Sequence, residues 1–241
     1  LVFSGKKMNL LWLAKAHRAA NKDAVSELLM MGIPTGLQFS ITAIGSMVMQ
    51  SANNGLGSVY VSGFTAGMKI KQFTMCPFDA IGTAVSVFCS QNLGAKQYDR
   101  AKKGAKFGIL CSISIAELIG ITIYTAAPVL IAAFNRDPDV IHYGVMQART
   151  IALFYCLLAF THCIAAVLRG SGNAAVPMIV LLCVWCLFRV SYITLAVRLI
   201  PDIRVIFWAY PLTWSISSVI FLFLFLRGNW VHGFEKRPKK G

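Results

Sequence analysis

The sequence predicts an all-α integral membrane protein with six transmembrane helices, and three observations carry that prediction. Apolar residues fill 57% and charged residues 13% of 241 positions, against roughly 45–50% and about 25% in soluble domains. The apolar residues gather into six runs, each long enough to approach or exceed the ~20 residues a helix needs to cross the hydrocarbon core. Between the runs, connections rich in Lys and Arg alternate with connections poor in them, which is the pattern that orients a polytopic membrane protein.

Residues 1–24 carry Lys6, Lys7, Lys15, Arg18 and Lys22 against Asp23. They are expected to form a cytoplasmic linker, part of it an amphipathic surface helix bearing Leu10, Leu11 and Leu13. The chain starts at Leu1 without a signal peptide and reads as a fragment of a longer protein. The first span covers 25–50 and contains Gly32-Ile33-Pro34. Pro34 has no N–H to donate, so it frees a carbonyl and is expected to kink or hinge this helix. The connection 51–59 (SANNGLGSV) is polar and uncharged. The second span, 60–90, is long for a bilayer and is expected to tilt. A basic connection follows, with Lys96, Arg100, Lys102, Lys103 and Lys106.

The third span is 107–134, closed by Asn135-Arg136-Asp137-Pro138, whose acids suit the start of a fourth helix over 140–168. A Gly-rich connection (RGSGNAA) leads to a fifth span, 176–199, and Pro201-Asp202 to a sixth, 205–226. The domain division is therefore a linker 1–24, a membrane lobe 25–227 and a basic tail 228–241. The side holding both termini has 16 Lys and Arg and the opposite side 3, the other 4 lying within spans. That bias puts both termini in the cytoplasm.

The net charge of +14 belongs to these connections, so nucleic acid is not an expected partner and the lipid bilayer is. The seven cysteines all lie in apolar runs. Cys183 and Cys186, though a CxxC, share a helix with Trp185 and Leu187 and read as small packing residues. Asp79, Glu117 and His162 are scattered over three helices with no nucleophile or metal motif, so no enzyme is expected.

Three motifs stand out on or near the cytoplasmic side. They are Gln91-Asn92-Leu93-Gly94-Ala95-Lys96 with Tyr98-Asp99-Arg100-Ala101, Leu168-Arg169-Gly170-Ser171-Gly172-Asn173 with Pro177-Met178, and Gly32-Ile33-Pro34. Together, over about 20–228, they resemble the C-terminal lobe of the multidrug and toxic compound extrusion (MATE) transporters, in the bacterial DNA-damage-inducible-like branch. Physically, Gly94, Gly170 and Gly172 suit tight turns with positive φ or close backbone approach.

The resemblance implies one lobe of a twelve-helix, two-lobe pseudo-twofold transporter in the plasma (inner) membrane. Its function would be a secondary active antiporter exporting amphipathic or cationic xenobiotics by alternating access. The partners implied are a small amphipathic substrate and the missing N-terminal lobe, and no cofactor is expected beyond a coupling H+ or Na+. The sodium-dependent branch has acids in this lobe where this chain has Ile41 and Leu158, so the ion site is expected in the missing lobe. The alternatives are a flippase of lipid-linked saccharide precursors from the same wider superfamily, or a membrane fragment that does not transport.

Ionisable groups within spans are costly and therefore functional candidates. Gln72, Cys76, Asp79 and Thr83 recur at helical spacing. Asp79 either lines a cavity, attracting a cation or exchanging a proton, or pairs with Lys69, Lys71 or a neighbouring helix. Glu117 is a second acid, whose structural alternative is a partnership with Arg149 or Arg189. Lys69 and Lys71 either snorkel outward, the favoured reading, or one of them faces the cavity. His162 and Tyr155, seven residues apart, share a helix face, and His162 is either a titrating or a packing histidine. Gln38, one turn past Pro34, is an uncharged cavity candidate. Phe39, Met47, Phe73 and Met75 offer an adaptable apolar wall. A cleft bounded by the first, second and fourth spans is expected, and a flippase cavity would draw on Lys69, Lys71, Arg149 and Arg189.

Overall fold

The computed structural model describes residues 22–55, 57–200 and 202–232. Residues 1–21 and 233–241, with the expected surface helix and most of the tail, lie outside them. Helices α1 (Lys22–Asn54), α2 (Ser58–Gly94) and α3 (Tyr98–Ala132) come first. The fourth apolar run is two helices, α4 (Pro138–Ala152) and α5 (Tyr155–Gly170), bent by 53° at the break. The fifth is α6 (Ala175–Leu181), a π-helical stretch (Leu182–Phe188) and α7 (Arg189–Leu199). Helix α8 (Ile203–Arg227) precedes a 3-10 turn at Trp230–His232. With the bent pair counted as one, six spans are long and apolar enough to cross a membrane. The six-helix expectation holds.

Two features revise the element-level reading. The fourth span is not one helix: the break falls at Leu153 and Phe154, with no proline near it. The third helix starts at Tyr98 and takes up much of the basic connection, because its Lys and Arg are good helix formers once the chain has turned. Helix α1 meanwhile continues through Pro34 as one element.

The ends of the helices follow from local chemistry. At α4, Asp137 Oδ1 accepts from the Asp139 N–H at 2.9 Å, with Pro138 in the first turn. At α8, Asp202 Oδ1 accepts from the Arg204 N–H at 2.9 Å. Both carboxylates satisfy donors that a helix start leaves free. The two signature loops close α2 and α5 in the same way. Gln97 N–H reaches Asn92 O at 2.8 Å and Lys96 N–H reaches Leu93 O at 3.0 Å. Asn173 N–H reaches Leu168 O at 3.0 Å and Gly172 N–H reaches Arg169 O at 2.9 Å. This nested pair of bonds is the Schellman motif, which places the residue after the cap in the left-handed region. Gly172 takes that position in the second loop (φ 88), but in the first it is Lys96 (φ 57), not Gly94. Gly170 serves close approach: a Cβ there would strike the backbone carbonyl of Ser86 in α2.

In lipid, helices associate by close packing rather than by expelling water, so small residues mark the seams. Gly63 and Gly67 turn to α4, where a Cβ on Gly63 would sit 2.9 Å from Gly144 N and Val140 O. Gly104 and Gly108 turn the other way, bringing α3 against Phe88 and Val85 of α2. Helix α5 is buried along most of its length, and Trp214, Tyr155, Tyr210 and Phe78 fill the centre. Helix α1 is the opposite case, its apolar residues Leu28, Leu29, Met30, Phe39 and Met47 largely exposed.

Candidate functional site

Gln72, Cys76, Asp79 and Thr83 all lie exposed along one open face of α2. Asp79 points from this face with 60% of its side chain exposed, and its Oδ1 lies 3.3 Å from His162 Nδ1 on α5. Its partner is therefore a neighbouring helix's histidine rather than Lys69 or Lys71. The contact joins α2 to α5 through two polar side chains. The imidazole rests against the Trp185 indole, centroids 5.7 Å apart, and its Nε2 is buried without a partner.

The other sequence candidates divide around this pair. Gln38 is 8% exposed and its Oε1 accepts from Arg169 Nη1 at 3.4 Å. That bond ties α1 to the C-terminal end of α5, and the Arg169 charge also attracts Asp79. Pro34 is half-buried one turn earlier. Tyr155 is fully buried, its ring 6.2 Å from Phe78 and 6.1 Å from Trp214. Although it shares α5 with His162, it presents no surface to a solute in this arrangement. Phe39, Met47 and Phe73 are exposed, as an adaptable wall requires, while Met75 is half-buried.

Glu117 lies exposed on α3 beside Cys156, apart from both expected arginines. Arg149 Nε donates to Tyr124 O at 3.1 Å and its guanidinium covers that ring. Lys69 is exposed, but Lys71 does not snorkel. Its Nζ turns inward over Tyr210, 4.6 Å from the centroid, and lies 5.9 Å from that of Trp214. Arg189, 2% exposed, covers the Tyr210 and Trp185 rings at 4.9 and 5.3 Å. Its Nη2 donates to Thr213 Oγ1 at 2.6 Å. This second polar cluster brings α2, α7, α8 and the π-helical stretch together. The sequence groups these two cations with Lys69 and Arg149 as those of a flippase cavity, and the structure brings only Lys71 and Arg189 onto one ring. The signal that joins them is their shared mid-span position opposite Tyr210, Thr213 and Trp214.

Two cavities within the lobe lie away from the α2 face. One, about 470 Å³, sits where α2, α4 and α8 begin, among Tyr60, His142, Tyr143, Asp202 and Arg204. The other, about 520 Å³, is an apolar groove between α3, α5 and α8.

Comparison with known proteins gives a consistent set of likenesses. The family model described as MatE matches residues 34–194. The chain is 29% identical over 145 residues to a probable multidrug resistance protein, YpnP, of Bacillus subtilis, covering 60% of this chain and 33% of that one. It is 24% identical over 154 residues to a probable multidrug resistance protein, NorM, of Thermotoga maritima, covering 64% and 33%. Among solved structures, a MATE protein in its bent conformation superposes with a TM-score of 0.83 at 16% identity, over 92% of this chain and 49% of that one. An outward-facing multidrug resistance MATE transporter gives 0.79 at 15%, over 85% and 46%. The chain thus spans about a third of the curated relatives it matches and about half of the solved chains.

Proposed function

This chain belongs to the MatE family, and on that premise we propose that it forms the second lobe of a secondary active exporter of amphipathic, often cationic, compounds. A second six-helix lobe closes over the α1–α2 face, and the two rock to expose a shared cleft to either side of the membrane. The site is the plasma (inner) membrane with both termini cytoplasmic, a reading supported by the 16-to-3 distribution of Lys and Arg. An H+ or Na+ gradient drives the cycle through a carboxylate outside this chain.

One observation carries the reading: a carboxylate, Asp79, stands on an open polar helix face within a span, held by a titratable histidine of another helix. A mid-membrane acid is stable only where it meets protein or water. Asp79 attracts the cation, Gln72 and Thr83 supply uncharged hydrogen-bonding groups, and Phe39, Met47 and Phe73 supply soft apolar contact. His162 competes with the substrate for the same carboxylate through its Nδ1 contact. Gln38 and Arg169 hold α1 beside this face.

The test is ethidium efflux from cells expressing the complete two-lobe protein, with and without Asp79→Asn. Efflux lost while the protein stays folded and in the membrane places the α2 face in the transport path. Efflux unchanged by the substitution removes Asp79 from it. No efflux from well-expressed parent under either a proton or a sodium gradient rejects the exporter and favours the flippase. That second reading draws on the Lys71 and Arg189 cluster, which suits an anionic head group.

A further inference from the structure

We propose that Lys71 and Arg189 form an anion site in the outer half of the lobe, taking a small, weakly hydrated anion or the acid group of an amphipathic substrate. The inference stands on buried charge and is independent of whether Asp79 meets a cation. Counted at 1.5 Å per residue, Lys71 is about 20 Å along α2 from its outer end and Arg189 about 15 Å from the outer end of α7. Both cations are therefore within the apolar slab, and they share one aromatic ring: Lys71 Nζ is 4.6 Å and Arg189 Cζ 4.9 Å from the Tyr210 centroid. Like charges brought together away from water are costly, and an anion between them relieves that cost.

Among the described residues no carboxylate supplies it. The single ion pair there is Asp79 with His162. Asp202 caps α8, and Glu117 lies on α3 beside Cys156. Ring faces attract cations but only partly replace a full negative charge.

The hydrogen-bond inventory points the same way. Arg189 satisfies Nη2 on Thr213, yet its Nε–H is buried with no acceptor, in a side chain 2% exposed. The Trp214 Nε1–H is likewise buried without an acceptor, in a residue 5.9 Å from the Lys71 ammonium by its ring. Thr213 Oγ1 already donates within α8, to Ala209 O and Tyr210 O. The cluster thus holds two unmet donors, Arg189 Nε–H and Trp214 Nε1–H, beside two basic side chains. An acceptor that is also an anion completes it. Among these apolar rings a weakly hydrated anion costs less to bring in than a strongly hydrated one. Lys71, part-exposed where Arg189 is not, marks the side of entry.

The experiment uses the complete protein in nanodiscs with every tryptophan except Trp185 and Trp214 replaced by Phe, so that these two are the reporters. Iodide is titrated against fluoride at constant ionic strength, and benzoate is added as competitor. The expected result is saturable iodide quenching that benzoate relieves. In Lys71→Met it weakens by about tenfold or more, while quenching by neutral acrylamide stays the same. Quenching that is linear in iodide and indifferent to benzoate overturns the proposal in the unsubstituted reporter protein alone, so a poorly folding variant does not shelter it. Uptake of radiolabelled benzoate into proteoliposomes separates the two sources. Saturable uptake assigns the site to a substrate's acid group, and quenching without uptake assigns it to a resident inorganic anion.

Discussion

Lys96 holds a left-handed backbone (φ 57) that closes the first signature loop. For a residue with a Cβ that conformation costs roughly 1–2 kcal/mol, while glycine gives back roughly 0.5–1 kcal/mol through its unfolded-state entropy. Lys96→Gly is therefore expected to stabilise the protein by about 0.5 kcal/mol, seen as a small rise in Tm in detergent. A neighbouring contrast tests the other glycines. Gly170→Ala drives a methyl into Ser86 O and is expected to cost about 1–3 kcal/mol. Gly94→Ala meets nothing within 4 Å and should stay within about 0.5 kcal/mol of the parent. Composition made both loops legible as couplers between helices. It did not say which residue takes the positive φ, because that depends on where the preceding helix stops. The Asp79 reading was similar: its mid-span position marked it, but its partner lies on another helix, and sequence spacing carries no distance between helices.

At the scale of the element, run length and the Lys/Arg pattern were enough to count six spans and order them. The interruptions were harder to see. The break between α4 and α5 has no proline, and the π-helical stretch of Leu182–Phe188 is as apolar as the turns around it. Both arise from packing, which periodicity does not record. The glycine pairs Gly63–Gly67 and Gly104–Gly108, by contrast, are visible in the sequence at the spacing that lets helices approach closely, and the structure uses both. The π-helical stretch has a consequence for the cationic cluster. It is wider than the α-helical turns on either side, and Arg189, the first residue of α7, meets Thr213 at 2.6 Å. Deleting Cys183, whose side chain is exposed, removes one residue and rotates Arg189 by about 100° around the helix. The deletion is expected to lower Tm at least as much as Arg189→Gln does. An unchanged Tm would mean the stretch does not aim the arginine.

For the whole molecule, the question is which exposed surface meets water and which meets lipid, and the lobe contains its own probes. Helix α1 and the open face of α2 expose both apolar and polar groups, Met47 and Phe73 beside Gln72 and Asp79. A purely lipid-facing surface has no use for the acid, and a purely aqueous one has no use for the phenylalanines. A cleft shared with a second lobe accommodates both. Cys76 stands on this face one turn from Asp79, and Cys183 is exposed on the fifth span. A thiol reacts as its thiolate, which forms in water and is suppressed in hydrocarbon. In the complete protein, with each cysteine kept as the only one, Cys76 is expected to react with a membrane-impermeant maleimide at least about tenfold faster than Cys183. Saturating transported substrate should then slow Cys76 alone. Equal rates would make the α2 face lipid-exposed and remove it from the path. A fast Cys76 that ignores substrate would leave the face wet but place the binding site elsewhere, with the Lys71 and Arg189 cluster the next position to probe.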